Sequence, residues 1–453
     1  MHAVQRDPDR LVNRSPLTLA LMGLAGASIE WYDFLLYGTA AALVFPSVFF
    51  PATLSPFVAL IASFSTFAVG LVARPFGAVL FGHMGDTIGR KGALSAALVL
   101  MGVATTLMAF LPTYHAVGAI APLALVLLRL LQGLAVGGQW GGATLLATEN
   151  APDARRGLYG SITQCGVPVG LLLANLAFFA TSSATTPEAF LAVGWRIPFL
   201  LSAGLIGLGL YQHYRLEETA IFRQIQKTAL PVSQQRASPI VAALRQYPAR
   251  ICLAAGVQLP SILAFYVAIT YVVAYGTSAA GLQLPRSTML GAVMVYGLVC
   301  LPVTLLAGQL SDRFGRRRVI VAGVALMGVW AFPLFALIET RSFLWICVAL
   351  AVSGSFNALM YGPLAALFAE LFDARVRYSA ISLSYQLAAI AGGAFAPVIA
   401  TALYSRFHSN MWMAAYVAVT CVISLACLRR LGETAGTDLA AADSQPAVVG
   451  AGD

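Results

Sequence analysis

Glu30 and Asp33 stand near the middle of a long apolar run, about Leu17 to Phe45, in the stretch SIEWYDFLLYG. A carboxylate at that depth costs roughly 2.5–3.5 kcal/mol on insertion scales, so two of them need a chemical reason, either carrying a proton or answering a buried cation. Their i, i+3 spacing puts both on one face of a helix, and Tyr37 continues that face one turn on. Every other Asp and Glu falls at a span end, in a loop or in a tail. Matching cations exist. Arg129 lies in the fourth apolar run at the depth of Asp33 and heads a helical stripe with Gln132, Val136 and Gln139. Gly133, Gly137, Gly138, Gly141 and Gly142 allow a neighbouring helix to come close there. Asp33 and Arg129 are expected partners, and a pair that opens when the acid takes a proton couples protons to shape. The plainer role, an ion pair that only joins two helices, stays open at this stage. Arg74, about two turns before Gly82, is deep enough to meet an anion in a cavity and close enough to the boundary to snorkel.

The elements that position these groups must be membrane helices. With 59% hydrophobic and 10% charged residues among 453 and a mean hydropathy of +0.81, the chain cannot be an ordinary soluble domain. Twelve apolar runs appear, each near the roughly 20 residues a spanning helix needs. None alternates polar and apolar residues as a barrel strand would. The net charge of +9 does not point to nucleic acid, because of where the charges lie. All but six of the 27 Lys and Arg residues fall in the two tails and in alternate loops; the exceptions are Arg74, Arg129, Arg196, Arg286, Arg341 and Arg406. That asymmetry puts both termini in the cytoplasm. The polar segment Met1 to Pro16 precedes an apolar run too long for a signal peptide, so the first helix is retained. Cys165, Cys252, Cys300, Cys347, Cys421 and Cys427 form no CxxC pair and read as packing residues, with no metal or cofactor implied.

The chain divides into a cytoplasmic tail at 1–16, a six-helix bundle at 17–212, a cytoplasmic linker at 213–249, a second six-helix bundle at 250–430 and a disordered tail at 431–453. The halves repeat. Gly82, Gly85, Asp86, Gly89, Arg90 and Lys91 recur as Gly308, Ser311, Asp312, Gly315, Arg316 and Arg317 at a constant offset of 226. Glu149, Asp153, Ala154 and Arg155 recur as Glu370, Asp373, Ala374 and Arg375. Glycine turns, an Asp able to accept from helix N-terminal amides and a basic cluster suit contacts that form in one conformation and break in another. Further polar residues punctuate the spans: Gln164 and Asn175 on the fifth, Gln258 on the seventh, Ser353, Asn357 and Tyr361 on the tenth, and Ser382, Tyr385 and Gln386 on the eleventh. Each suits interhelical hydrogen bonding, and together they suit a polar cavity.

With the doubled (G/S)DxxGR(K/R) loop and RLLQGLAVGG from Arg129 in view, the chain resembles the major facilitator superfamily, and within it the metabolite:H+ symporter family. IEWYDFLLYG from Ile29, RPFGAVLFGHMGD from Arg74, RLLQGLAVGGQWGGA from Arg129, WRIPFLLS from Trp195, EET from Glu217 and YGPLAALFAELFDARVRYSAISLSYQ from Tyr361 carry the resemblance. It implies two six-helix bundles that rock about a central site, and proton coupling through the first-span acids and Arg129. One departure matters: the family commonly has Glu where this chain has Gln139, which concentrates coupling on Glu30 and Asp33.

The expected protein is an all-α carrier of the bacterial inner membrane, importing a small organic acid with protons. Proton coupling falls to Glu30, Asp33 and Arg129. Substrate contacts fall to Arg74, Arg129, Tyr37, Gln132, Gln164, Asn357, Tyr361 and Gln386. Gating falls to Gly82, Asp86, Gly89, Arg90, Lys91, Asp312, Gly315 and Arg316. The lipid bilayer is its medium, nucleic acid is not a partner, and a monomer suffices. A zwitterionic osmolyte symporter and a drug/H+ antiporter share the fold. The first is disfavoured by a tail without heptads, and the second differs in the sign of coupling. An enzyme is disfavoured because no nucleophile with a base, metal cluster or nucleotide loop occurs.

Overall fold

A computed structural model describes residues 16–88, 90–137, 139–215, 239–373, 376–437 and 439; side chains 82–83, 85–88, 90–95, 139, 142–143, 146, 205, 208–215, 239–240 and 242 lie outside the description. In hydrocarbon, runs this apolar satisfy their backbone only as helices. The described residues accordingly form helices and no strand. Among the described residues nine helical segments are long and apolar enough to cross a membrane. Arg90–Met108, Ile120–Val136 and Arg196–Arg215 complete a set of twelve. The first six spans, Pro16–Leu43 to Arg196–Arg215, form one bundle, and the last six, Pro248–Thr277 to Met411–Arg430, form the other. Residues 216–238 of the expected linker lie outside the described part, and its end forms the helix Pro239–Gln246, packed on Arg377–Ala388.

Close packing of the second span, Pro56–Ile88, on the fourth sets the depth of both buried arginines. A Cβ on Gly133 would overlap the Gly70 carbonyl, and one on Gly137 would overlap the Arg74 carbonyl. Only glycine lets these two backbones touch. Arg129 consequently lies across Gly70, one helical turn before Arg74.

Several spans are interrupted, and the interruptions face the seam between the bundles. The fourth breaks between Ile120–Val136 and Gln139–Glu149, the tenth between Phe343–Tyr361 and Leu364–Leu371. A helix break frees a carbonyl that needs a donor. Here each donor comes from the opposite bundle: Gln386 Nε2 donates to the Gly137 carbonyl at 3.0 Å, and Gln164 Nε2 to that of Tyr361 at 3.3 Å. The seventh and eleventh spans carry π-helical turns at Val267–Tyr271 and Ala389–Ala394, which pack against the first and second spans respectively. Single π turns often mark functional sites.

The end of the molecule that carries the repeated loops, called here the motif end, is stitched by polar contacts. Asp312 accepts from the Gly157 and Leu158 amides at 2.8 and 2.9 Å, at the N-terminus of Arg156–Gln164 in the other bundle. Arg316 holds Asp312 at 2.5 Å and Glu370 at 3.2 Å, and Arg377 reaches across to Glu149 at 3.0 Å. The tail, expected to lack structure from Leu431 on, lies against this network over 431–437. Glu433 accepts from the Arg316 and Arg317 amides at 2.8 and 3.1 Å, and Thr434 donates to Glu370 at 2.8 Å. The Thr437 carbonyl accepts from Arg156 at 2.7 Å. Residues 440–453 lie outside the described part.

Candidate functional site

The first span delivers Glu30, Asp33, Phe34 and Tyr37 to the middle of the molecule, and all four are buried. Arg74 and Arg129 join them, 2% and 0% exposed. Their surroundings are aromatic. The Arg129 guanidinium lies over the rings of Tyr37 at 4.1 Å, Phe34 at 4.3 Å and Phe67 at 4.8 Å. Arg74 lies over Phe34 at 4.0 Å and Trp31 at 5.9 Å. Desolvated cation–π contacts of this kind are each worth about 2 kcal/mol.

The expected Asp33–Arg129 ion pair is not formed in this conformation. Gln132 intervenes: its Oε1 accepts from Arg129 Nη1, while its Nε2 donates to Thr105 Oγ1 at 2.8 Å and to the Asp33 carbonyl at 3.3 Å. Thr105 and Ser202 lie beside the Asp33 carboxyl. Among the described residues its Oδ1, Arg74 Nε, and Arg129 Nε and Nη2 have no hydrogen-bond partner. Among the described residues neither arginine makes an ion pair. Glu30 lies nearer Arg74, and across the seam nearer Tyr361 and Tyr385. Tyr37 donates to Thr66 Oγ1 at 2.6 Å, a bond within its own bundle.

Beside this cluster lies a cavity between the bundles, lined among others by Trp31, Tyr266, Tyr296, Asn357, Tyr361 and Tyr385, with a volume of ≈ 40 Å³. It holds about three waters, far too few to make room for an organic acid. The bundles are therefore closed on a centre with no room for cargo. On the opposite wall Asn357 donates to Tyr296 Oη at 2.9 Å and accepts from Ser261 Oγ at 2.8 Å. The Tyr361 hydroxyl is buried without a partner. Towards the motif end Trp140 stacks on Tyr385 at 4.2 Å and donates to Gln164 Oε1 at 3.1 Å.

Two bundles, interrupted helices at the seam and a central charged cluster describe a carrier, and the sequence relationships decide which kind. The model of the family described as "Sugar (and other) transporter" matches residues 19–445. The chain belongs to the major facilitator superfamily. It is 41% identical to the shikimate transporter of Escherichia coli K12 over 409 residues, covering 89% of this chain and 92% of that one. It is 40% identical over 411 residues to the inner membrane metabolite transport protein YhjE of the same organism, with the same coverage. The proline/betaine transporter of Salmonella typhimurium LT2 is more distant, 30% identical over 446 residues and covering 96% and 87%. In fold the chain matches the partially occluded inward open xylose transporter XylE of E. coli, with a TM-score of 0.73, 20% identity and coverage of 94% and 99%. The protein is a multi-pass membrane transporter and not an enzyme.

In this transporter the expected site residues fall into three groups. Glu30, Asp33, Tyr37, Arg74, Arg129 and Gln132 share one central cluster on the first bundle. Asn357 and Tyr361 line the cavity from the second bundle. Gln164 and Gln386 instead join the helix breaks on the motif-end side. Of the gating set, Asp312, Gly315 and Arg316 sit in the motif-end network, and Gly315 has φ +96°, which favours glycine. Gly89 and the side chains of Asp86, Arg90, Lys91 and Gln139 lie outside the described part, as does any Cβ environment at Gly82. Two residues escaped sequence reasoning. Glu370 sits at a span end yet is buried and bound by Arg316, a role its place before the repeated Asp-Ala-Arg, as Glu149 stands before the first copy, hinted at. Phe34 read as one more apolar residue, yet it touches both arginines.

Proposed function

We propose that this transporter is a proton-coupled symporter that imports a small organic anion, a shikimate- or α-ketoglutarate-like mono- or dicarboxylate, by alternating access. One observation carries the reading: two buried guanidiniums without a carboxylate partner among the described residues, beside the cavity between the bundles. Burying a cation unpaired is costly, and an incoming carboxylate is its natural answer. Glu30, Asp33, Arg74 and Arg129 sum to zero charge. One added proton leaves the centre positive, a monocarboxylate then neutralises it, and the loaded carrier crosses uncharged; a dicarboxylate reaches the same balance with both acids protonated. Glu30 and Asp33 carry the proton as a coupled pair, with Asp33 favoured because its Oδ1 is free of hydrogen bonds. Arg129, held by Gln132 and Tyr37, and Arg74 take the anion, and Asn357 and Tyr361 meet it from the other wall. The carrier works as a monomer in the cytoplasmic membrane, with both termini and the motif end in the cytoplasm. The bundles are the rocking units, joined by the linker, and the residues of the repeated loops are the gates. An organic acid is favoured over a zwitterionic osmolyte because the shikimate transporter stands at 41% identity against 30% for the proline/betaine transporter.

The test is proton movement in proteoliposomes on adding shikimate-like, dicarboxylate, aromatic acid and betaine substrates outside. Internal acidification with one acidic substrate, lost in Asp33→Asn while labelled exchange persists, is the expected result. Exchange of a labelled acid with no proton movement in the unmodified carrier would make it a facilitator and return the acids to a structural role.

A further inference from the structure

Two like charges buried side by side need something between them. In the first span that something is the Phe34 ring. Its centroid is 4.0 Å from the Arg74 guanidinium carbon and 4.3 Å from that of Arg129, and it is 1% exposed. The other rings serve one cation each: Trp31 faces Arg74, while Tyr37 and Phe67 face Arg129. Phe34 alone among them is shared. The face of a benzene ring carries negative charge density, which makes it a weak and uncharged substitute for a carboxylate. Three guanidinium nitrogens, Arg74 Nε and Arg129 Nε and Nη2, are buried without acceptors, so the ring leaves hydrogen-bonding capacity that a true anion would fill.

The ring is also placed where it can give way. It packs at 6.3 Å and 72° against Tyr266, and Trp31, one turn before it, packs on Phe265 at 6.1 Å. Trp31, Phe265 and Tyr266 all line the cavity between the bundles. Phe34 therefore joins the two cations to a wall that must move when the bundles part. Opening the seam removes Tyr266 from one side of the ring, and an anion entering there meets the same two guanidiniums.

We infer that Phe34 is a positioning residue that stands in for the substrate's carboxylate in the empty carrier. Its ring is the common counter-face of Arg74 and Arg129 when the bundles close without cargo, and it yields that place to the anion on loading. The inference rests on the anion-transport reading above and adds a separate consequence. Closing empty needs the ring; closing loaded does not. A carrier deprived of the ring's charge distribution would return slowly when empty, yet shuttle normally when substrate is present on both sides.

The experiment compares net uptake of a labelled organic acid into proteoliposomes, which requires the empty return, with exchange against the same unlabelled acid, which does not. Phe34→Leu keeps an apolar side chain and removes the ring. Net uptake is expected to fall at least about thirtyfold, the loss that even one of the two desolvated cation–π contacts would give, with exchange within about twofold of the unmodified carrier. Because Phe34→Leu can disturb packing, phenylalanine analogues bearing one, two and three ring fluorines are placed at 34. These drain the ring face of negative charge at nearly constant shape, and net uptake should fall stepwise with each fluorine while exchange holds. Equal loss of both rates in Phe34→Leu together with a flat fluorine series would reduce the ring to packing and overturn the inference. No exchange of any acid by the unmodified carrier would overturn the anion reading itself, and this inference with it.

Discussion

The seam between the bundles is closed at its two ends by different physics. At the motif end the contacts are charged and directional: Asp312 on the amides of the facing helix, Arg377 on Glu149, and the tail carbonyls on Arg156 and Arg377. At the far end they are aromatic and apolar. Phe57 meets Tyr404 at 5.9 Å, Thr270 lies against Gly38 of the first span, and Arg286 lies over Phe190 at 5.2 Å. Among the described residues no ion pair crosses the far end. A directional network loses its members together, because each broken bond strands a buried partner. An apolar contact loses energy in proportion to the area exposed and tolerates partial opening. The motif end should thus behave as a latch with two states, and the far end as a yielding seal. An alternating carrier needs both, since the two ends must not open at once.

Breaking the latch at Arg316, which orients Asp312 towards the amides of the facing helix and answers Glu370, gives the largest effect. Arg316 is 2% exposed and binds both Asp312 and Glu370. Arg316→Leu strands the buried Glu370 carboxylate, a loss of about 3–5 kcal/mol. A cysteine at Ser382, which faces Gly141 across the seam, reports opening when Cys252, the exposed native thiol, is replaced. Labelling there should rise roughly 100-fold or more in Arg316→Leu and return most of the way in the double variant with Glu370→Leu. Failure of the second change to restore closure would mean that packing, not paired charge, holds the motif end.

The tail sharpens the same contrast at smaller cost. Glu433 caps the helix Arg316–Glu339, whose own N-cap is Gly315 and has no side chain to offer. Removing a cap costs about 1 kcal/mol, so Glu433→Ala should speed labelling at position 382 about fivefold. Ending the chain at Gly432 should match or exceed that, because the Thr437 carbonyl's bond from Arg156 goes too. Unchanged labelling in both would show that the tail rests on the network without bearing on it.

Much of this plan is legible in the residues alone. The cost of placing Glu30 and Asp33 in an apolar run marks the site, and the offset of 226 between the loops marks two bundles. What cannot be read there is rotation. Whether Arg129 faces Asp33 or the rings of Phe34, Tyr37 and Phe67 depends on helix orientation that a stripe of residues leaves open, and the rings are where it lies. The tail escapes for another reason. Beyond Glu433 and Thr434 it binds through the backbone carbonyls of Thr437 and Leu439, and any residue supplies a carbonyl. Glu370 escapes because a span end reads as wet, whereas Thr434 and Arg316 close over it.

The far end offers the smallest effect and the most discriminating one. Tyr404 packs on Phe57 across the seam and on Tyr275 at 4.8 Å within its own bundle. Tyr404→Leu keeps most of the apolar area and loses ring geometry worth about 0.5–1.5 kcal/mol. A cysteine at Thr270, buried against Gly38 of the first span, should then label about threefold faster from the far side. Salt separates the two ends further. Glu149 in the motif-end pair is 39% exposed, so raising ionic strength should weaken that contact and speed labelling at 382. Apolar burial is not screened, and labelling at 270 should not rise. A parallel rise at both positions would mean that the far end also closes on charge, and the seam would then have one kind of gate rather than two.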